Sequence, residues 1–180
     1  MPHKFLTSEE LIPFLTQNGI DFECVEHEAV FTVDAMKEEM SKMPGLHYKN
    51  LFLRERKTGG FYLLVAAHDR VMNLNAVSKA LRLTSRSGLR FASEEQLMEK
   101  LGVRQGSVTL LAMANDVDHC VTVLLDSTVM EQNDHLRWFH LMQNDVSAGL
   151  SLAALKKFLD LIGCQPTLLT FDSDGSVYIE

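Results

Sequence analysis

Apolar residues spaced three or four positions apart predict helices along much of the chain. The first of these helices places Leu11, Phe14 and Leu15 on one face and follows a start signature formed by Thr7 and Glu10. Glycines that come directly after the last apolar position predict where several of the helices end. The predicted helices span residues 7–18, 32–43, 75–83, 93–101 and 151–162.

Alternating or continuous apolar runs predict strands between these helices. Residues 49–54 and 61–67 are separated by the polar, glycine-bearing segment 57–60, which predicts a hairpin. The same reasoning predicts two β-rich runs around the turn at residues 115–118. The predicted strands span residues 21–26, 49–54, 61–67, 89–92, 107–113, 120–125, 135–141 and 168–171.

Hairpins and helices mix along the chain without a regular alternation of strand and helix. This order favours an α+β fold with a mixed sheet over a doubly wound parallel sheet. A length of 180 residues is typical of one domain, and we expect residues 1–180 to form it.

The formal net charge of −7 disfavours a general nucleic-acid-binding protein, and DNA is not an expected partner. An acidic protein can still hold a short nucleic-acid end through a local basic cluster, such as the one at residues 49–57. An ordinary solvated edge explains the same cluster equally well.

The chain has no run of 18 apolar residues, and its N-terminal segment lacks the apolar centre of a signal peptide. We therefore expect a cytoplasmic protein without a membrane partner. Three widely spaced cysteines and seven histidines without helical i, i+4 pairs predict no metal site, and no cofactor is expected.

Common nucleophile, metalloprotease and nucleotide-binding motifs are absent from the sequence. Lys49 and Asn50 instead begin a strongly apolar strand, where an ammonium group can meet a phosphate or a developing oxyanion. A lysine that hinders edge-to-edge aggregation is the more common explanation of this pattern. Gly106 precedes another apolar run, and its loop can present backbone N–H groups. His140 lies among apolar residues, where a structural histidine is more common than a catalytic one.

Taken in order, these segments resemble the YbaK/prolyl-tRNA synthetase-associated editing domain family. The matching pieces cover roughly residues 5–166, and they are residues 27–33, 49–53, 101–103, 106–109, 139–140 and 144–145. The form Lys-Asn-Leu-Phe-Leu at residues 49–53 is similar to that of the alanyl-tRNA(Pro) deacylases in this family. Two departures stand out, because Leu110 and Leu141 occupy positions where relatives commonly have proline.

The resemblance implies a mixed, partly barrel-like sheet surrounded by helices, and a hydrolase that removes a wrong amino acid from tRNA. It implies Lys49 as the essential catalytic residue near the 3′ end of the tRNA. The implied substrate-binding residues are Asn50, Phe31, Thr32, Val33, Gly106, Ser107, Val108, Thr109 and His140.

The implied activity is trans-editing of alanyl-tRNA(Pro). Deacylation of cysteinyl-tRNA(Pro), a tRNA- or synthetase-binding module without catalysis, and an unrelated α+β domain remain alternatives. The implied partner is the acceptor end of aminoacylated tRNA, with prolyl-tRNA synthetase or an elongation factor as further candidates. Selection is expected to depend mainly on pocket size.

Overall fold

The computed structural model describes residues 4–29, 38–83 and 88–180. The helices in these ranges include α1 (Ser8–Gln17), α2 (Leu74–Ala80), α3 (Glu94–Leu101) and α4 (Leu152–Leu161). Short 3₁₀ helices span Leu110–Asn115 and Ser127–Met130. The strands are β1 (Glu23–Glu26), β2 (Leu46–Glu55), β3 (Phe61–Ala67), β4 (Leu89–Phe91), β5 (Val121–Asp126), β6 (Arg137–His140), β7 (Val146–Leu150), β8 (Thr167–Phe171) and β9 (Val177–Ile179).

The strands form one mixed sheet in the order β1-β7-β6-β2-β3-β5-β8-β9, and β4 pairs with the end of β2. The β2–β6, β3–β5 and β5–β8 pairs are parallel, and the remaining pairs are antiparallel. The predicted α+β fold with a mixed sheet is confirmed. The sheet is not a closed barrel, because β1 and β9 are its two ends.

Helix boundaries follow the capping residues that the sequence contains. The Thr7 side chain accepts the Glu10 backbone N–H while the Glu10 carboxylate accepts the Thr7 N–H, which completes a capping box at α1. Ser93 and Gln96 form the same arrangement at α3. Gly102 ends α3 with φ of +67°, a conformation that glycine adopts without a side-chain clash.

Apolar residues cover both faces of the sheet, because neighbouring residues of a strand point to opposite sides. On β3, Leu63 and Val65 join the larger core, which also contains residues of α1, α3 and α4. Leu64 points to the opposite face and packs with Val77 of α2 in a smaller core. The sheet is therefore the central layer between the helices.

The prediction of a strand at Ser107–Met113 is wrong, because residues 110–115 form a 3₁₀ helix. Thr109 caps this helix by accepting the Leu111 N–H, and residues 110–113 are all buried. A short run that is buried on every side has no periodicity to separate helix from strand. The strands β7 and β9 were not predicted. The predicted helix at 32–43 lies partly outside the described residues, and its described part is helical at 38–41.

One buried cation organises the turn before β6. Arg137 is fully buried, and its guanidinium donates to the carbonyl oxygens of Val129, Glu131 and His135. These three hydrogen bonds replace the hydration that the guanidinium group loses on burial.

In the described part of the chain, no helix has the length and apolar character needed to cross a membrane.

Candidate functional site

A cavity of about 360 Å³ opens beside the first half of β2. This volume lies in the range of small-molecule sites, roughly 300–1,000 Å³. Five of the residues expected from the sequence line it, namely Lys49, Asn50, Gly106, Val108 and His140. Residues that were not among the expected site residues contribute more of its polar lining: His27, Glu39, His47, Tyr48, His68 and Ser147.

Lys49 and Asn50 reach the cavity from opposite faces of β2. Lys49 pairs with Ala66 of β3 and Asn50 pairs with Val65, in a regular antiparallel register. Because successive side chains alternate across a strand, Asn50 shares its face with Tyr48, and Lys49 shares the other face with His47. The predicted pair therefore belongs to one site, although its two side chains do not point the same way.

The ammonium group of Lys49 is held by a backbone carbonyl. Its Nζ donates to the carbonyl oxygen of Arg70, and the side chain is half-buried. Burial lowers the pKa of Lys49, while the nearby Asp69 carboxylate opposes this change. Loss of hydration destabilises the charged form of an amine, which is why its pKa falls.

Arg70 is fixed in turn by Asp126 at the end of β5. The fully buried Asp126 carboxylate accepts Arg70 Nε at 2.9 Å and Arg70 Nη2 at 3.2 Å. The same guanidinium donates to the Phe171 carbonyl oxygen at 3.4 Å and lies 5.1 Å from the centre of the Phe171 ring. The carbonyl that accepts from Lys49 thus belongs to a residue with a firmly held side chain.

On the other side of the cavity, two histidines share one serine. Ser147 Oγ lies 2.8 Å from His27 Nε2 and 3.2 Å from His140 Nδ1. The two rings are tilted, with centres 5.8 Å apart. Burial, followed by the effect of His27, lowers the pKa of His140 to about 4, and Asp145 opposes the change. His140 is therefore neutral at physiological pH.

Two polar atoms near Asn50 lack partners among the described residues. Asn50 Nδ2 donates to the Tyr48 carbonyl oxygen at a long 3.5 Å, and Asn50 Oδ1 makes no hydrogen bond. The Tyr48 hydroxyl is also unpaired, and burial raises the pKa of Tyr48 to about 12. The Tyr48 ring stacks on Phe139 at 5.5 Å, which holds it against the core. Asn50 lines the cavity, so its unpaired Oδ1 is a candidate acceptor for a ligand.

Glu39 brings an acidic group to the cavity. Its residue is 6% exposed, and its Oε1 pairs with Lys42 at 2.7 Å. The second carboxylate oxygen, Oε2, is buried and has no hydrogen-bond partner in the described part of the chain. A buried acceptor without a partner is costly, so it favours a ligand that can donate.

The loop at residues 106–109 divides into a cavity part and a structural part. Gly106 has φ of +88°, and Gly106 and Val108 line the cavity. Their backbone N–H groups donate to none of the described residues, whereas the Ser107 N–H donates to the Arg104 carbonyl oxygen. Ser107 is not among the lining residues. Thr109 is fully buried and caps the 3₁₀ helix, so its position does not support the expected substrate contact.

The expected residues Phe31, Thr32 and Val33 lie outside the described residues, and their role stays a prediction.

The two leucines that stand where relatives commonly have proline have structural explanations. Leu110 is the first residue of the 3₁₀ helix, and its side chain is buried in the larger core. Leu141 uses the backbone N–H that proline lacks, since this group donates to the Val146 carbonyl oxygen at 3.0 Å.

Two further rings that line the cavity, those of His47 and Trp138, come from the start of β2 and from β6. His47 Nε2 donates to the Met43 carbonyl oxygen at 2.8 Å, and the His47 ring stacks on Trp138 with centres 6.5 Å apart. Trp138 crosses the strand pair to lie against Gly149, where an added Cβ would come within 2.9 Å of its ring. Only a glycine at this position leaves room for the tryptophan.

Among residues 4–29, 38–83 and 88–180, acidic, histidine and cysteine side chains form no group of three suited to a metal ion.

Comparison with known proteins gives consistent matches over most of the chain. The family model described as the aminoacyl-tRNA editing domain matches residues 27–158. Prolyl-tRNA synthetase associated domain-containing protein 1 of Bos taurus is 41% identical over 156 residues, which cover 87% of this chain and 90% of that protein. The prolyl-tRNA editing protein ProX of Acetoanaerobium sticklandii is 28% identical over 155 residues, covering 86% and 92%. The crystal structure of a candidate trans-editing enzyme for prolyl tRNA synthetase has the same fold, with a TM-score of 0.63, 18% identity, and coverage of 91% of this chain and 96% of that one.

Proposed function

Because the chain belongs to the aminoacyl-tRNA editing domain family, we propose that it is a trans-editing hydrolase that deacylates mischarged tRNA(Pro). The observation that carries this proposal is the cavity, which brings together Lys49, Asn50, Gly106 and His140 from distant parts of the chain. The names of the bacterial relative and of the structural neighbour support the same reaction class.

The reaction is hydrolysis of the ester between an amino acid and the terminal ribose. A water oxygen bonds to the carbonyl carbon, the bond to the ribose oxygen breaks, and the ribose oxygen takes a proton. We assign the N–H groups of Gly106 and Val108, which donate to none of the described residues, to the negative charge that develops on the carbonyl oxygen. We assign Lys49 to the phosphate of the terminal nucleotide, because Lys49 lines the cavity and its ammonium group is a compact positive charge.

The substrate amino acid also carries a positively charged α-amino group. We assign Glu39 Oε2 as its acceptor, since Glu39 lines the cavity and this oxygen is buried and lacks a partner among the described residues. Asn50 Oδ1 is a second unpaired acceptor in the same lining. Two such acceptors suit an ammonium group, which has three N–H donors.

We propose alanine as the removed amino acid, with cysteine as the alternative. The support is the Lys49–Asn50 pair, whose form is similar to that of alanyl-tRNA(Pro) deacylases, together with a cavity at the small end of the ligand-binding range. Exclusion of proline by steric overlap can be strong, whereas one lost methylene contact changes binding by only about 1–3 kcal/mol. The net charge of −7 disfavours extended contacts with the tRNA backbone, and we propose contacts at the acceptor end, near the cavity.

The alternative of a binding module without catalysis is motivated by Leu110 and Leu141, which stand where relatives commonly have proline. Both residues have structural roles away from the cavity, so neither favours loss of activity. The deacylase is therefore the stronger proposal.

The test is deacylation of tRNA(Pro) charged separately with alanine, cysteine and proline. Lys49→Ala should lose most of the activity, while Lys156→Ala, which removes an exposed lysine of α4, should keep it. Preferential hydrolysis of the cysteinyl ester would keep the mechanism and change the substrate. Full activity of Lys49→Ala, or hydrolysis of none of the three esters, would contradict the proposal.

A further inference from the structure

Three neighbouring strands place His27, Ser147 and His140 on one face of the sheet. Ser147 of β7 lies directly opposite His140 of β6 and opposite Val25 of β1. His27 comes two residues after Val25, so its side chain points to the same face. The His27 backbone N–H also donates to the Asp145 carbonyl oxygen at 2.8 Å, which extends the pairing beyond the end of β1.

The Glu28 carbonyl oxygen determines which atom donates in each hydrogen bond of this group. His27 Nδ1 lies 3.0 Å from the Glu28 carbonyl oxygen, which can only accept, so Nδ1 carries a proton. In a neutral His27 ring, Nε2 is then an acceptor, and the Ser147 hydroxyl donates to it. The Ser147 oxygen is left to accept from His140 Nδ1–H. Neutral His140 therefore has a lone pair on Nε2.

We propose that His27 and Ser147 are positioning residues that hold His140 as its Nδ1–H tautomer, so that Nε2 accepts a hydrogen bond from the attacking water. This inference rests on the proposed function for the role of the water, whereas the tautomer is a property of the free protein. His140 Nε2 makes no hydrogen bond to another described residue, and the ring lines the cavity. The low pKa of about 4 keeps the ring neutral, which is the state in which Nε2 can accept.

Ser147 itself is not suited to attack the ester. It is 3% exposed, and its oxygen is engaged by both histidines. A nucleophilic serine needs its oxygen within reach of the substrate carbonyl, while a positioning serine can remain covered. The two roles also predict different losses of activity. Loss of a nucleophile removes nearly all of the activity, whereas loss of one neutral hydrogen bond removes a small part of it.

The first measurement is the ¹⁵N spectrum of the histidine side chains in the free protein at neutral pH, with His140 assigned by comparison with His140→Gln. We expect His140 to be protonated at Nδ1 and not at Nε2. A proton on Nε2, or on both nitrogens, would overturn the proposal. This result does not depend on whether the protein deacylates tRNA, so failure of the inference and failure of the proposed function can be told apart.

The second measurement compares Ser147→Ala with Ser78→Ala. Ser78 is a suitable control because it is also buried and makes two hydrogen bonds, to the Leu74 carbonyl and from the Leu89 N–H, away from the cavity. Ser147→Ala should mix the His140 tautomers and lower kcat about five- to tenfold with little change in KM, the effect expected for one neutral hydrogen bond. Ser78→Ala should leave kcat and the His140 spectrum unchanged.

Variants at His27 test whether an acceptor for the Ser147 hydroxyl preserves activity. His27→Gln offers an amide oxygen that can accept from Ser147 and should retain more activity than His27→Leu, which offers none. An unchanged tautomer and unchanged kcat in Ser147→Ala would show that the serine does not position His140. A loss above about 1,000-fold, with an aminoacyl ester trapped on the wild-type serine, would instead make Ser147 a nucleophile and overturn the positioning role.

Discussion

Asp126→Asn tests whether the buried carboxylate of Asp126 supports the site. Asp126 Oδ2 accepts the Ala67 N–H at 3.3 Å and Arg70 Nε at 2.9 Å. Its Oδ1 accepts Arg70 Nη2 at 3.2 Å, the Thr128 N–H at 3.2 Å and the Thr128 hydroxyl at 2.9 Å. In either orientation, the amide group of asparagine would place its NH₂ against an N–H donor of Arg70. The substitution therefore removes the negative charge and also creates a donor–donor clash.

The expected loss of stability is about 3 kcal/mol. Breaking a buried ion pair typically costs about 3–5 kcal/mol, and the lower end applies because Arg70 is 27% exposed and can be partly rehydrated. With a urea m-value of about 2 kcal/mol per molar, the unfolding midpoint should fall by about 1.5 M. Equilibrium urea unfolding, followed by circular dichroism, measures this shift.

The same substitution should reduce activity, because the Arg70 carbonyl holds the Lys49 ammonium group. A displacement of about 1 Å at such a group can lower the rate roughly 100-fold, so a 10- to 100-fold fall in kcat/KM is expected. Asp116→Asn is the matched control, since Asp116 is buried and accepts the Cys120 and Val121 N–H groups away from Lys49. It should destabilise the protein without this loss of rate. A midpoint shift below 0.5 M (about 1 kcal/mol) with unchanged activity in Asp126→Asn would refute the reasoning.

Leu141→Pro should lower stability by about 1–3 kcal/mol in urea unfolding, because it removes the N–H that donates to Val146; an unchanged midpoint would contradict this account. Gly149→Ala should displace the Trp138 ring, which a new Cβ would approach to 2.9 Å, and change the tryptophan fluorescence spectrum; an unaltered spectrum and midpoint would argue against close packing there. For His140, the folded pKa of about 4 lies below the ordinary value of 6.5, so the unfolded chain binds the proton more readily between these pH values. Stability should fall as the pH is lowered from about 6.5 to 4, by at most about 3 kcal/mol, and this part of the fall should be missing in His140→Gln.

Sequence patterns predicted elements best where periodicity and capping agreed. The predicted strand at 61–67 matches β3, and the helix expected at 151–162 matches α4 within one residue at each end. The run from Ser107 to Met113 was wrong, since burial on all sides removes the alternation that distinguishes a strand. The short edge strand β9 was missed because three residues next to a polar turn have no pattern of their own.

In the candidate site, too, some residues could be predicted from the sequence and others could not. Resemblance to the editing-domain family pointed to Lys49, Asn50, Gly106 and His140, and the structure brings these residues to one cavity. Ser147 carried no signal, because a small polar residue in a buried strand looks like an ordinary core position. Glu39 resembled any acidic residue on a helix. Its significance arises only because burial leaves one of its oxygens without a partner among the described residues.

The sequence by itself determined the mixed α+β class, the caps of the helices and the family to which the chain belongs. These properties depend on local patterns and on residue types at recognisable spacings. Only the tertiary structure decided that Lys49 donates to the Arg70 carbonyl, that Asp126 holds Arg70, and that Ser147 joins two histidines. Such contacts depend on strand order and register, because residues far apart in the chain meet only after the sheet has formed. The direction of each hydrogen bond, and with it the chemistry available to His140, follows from that assembly.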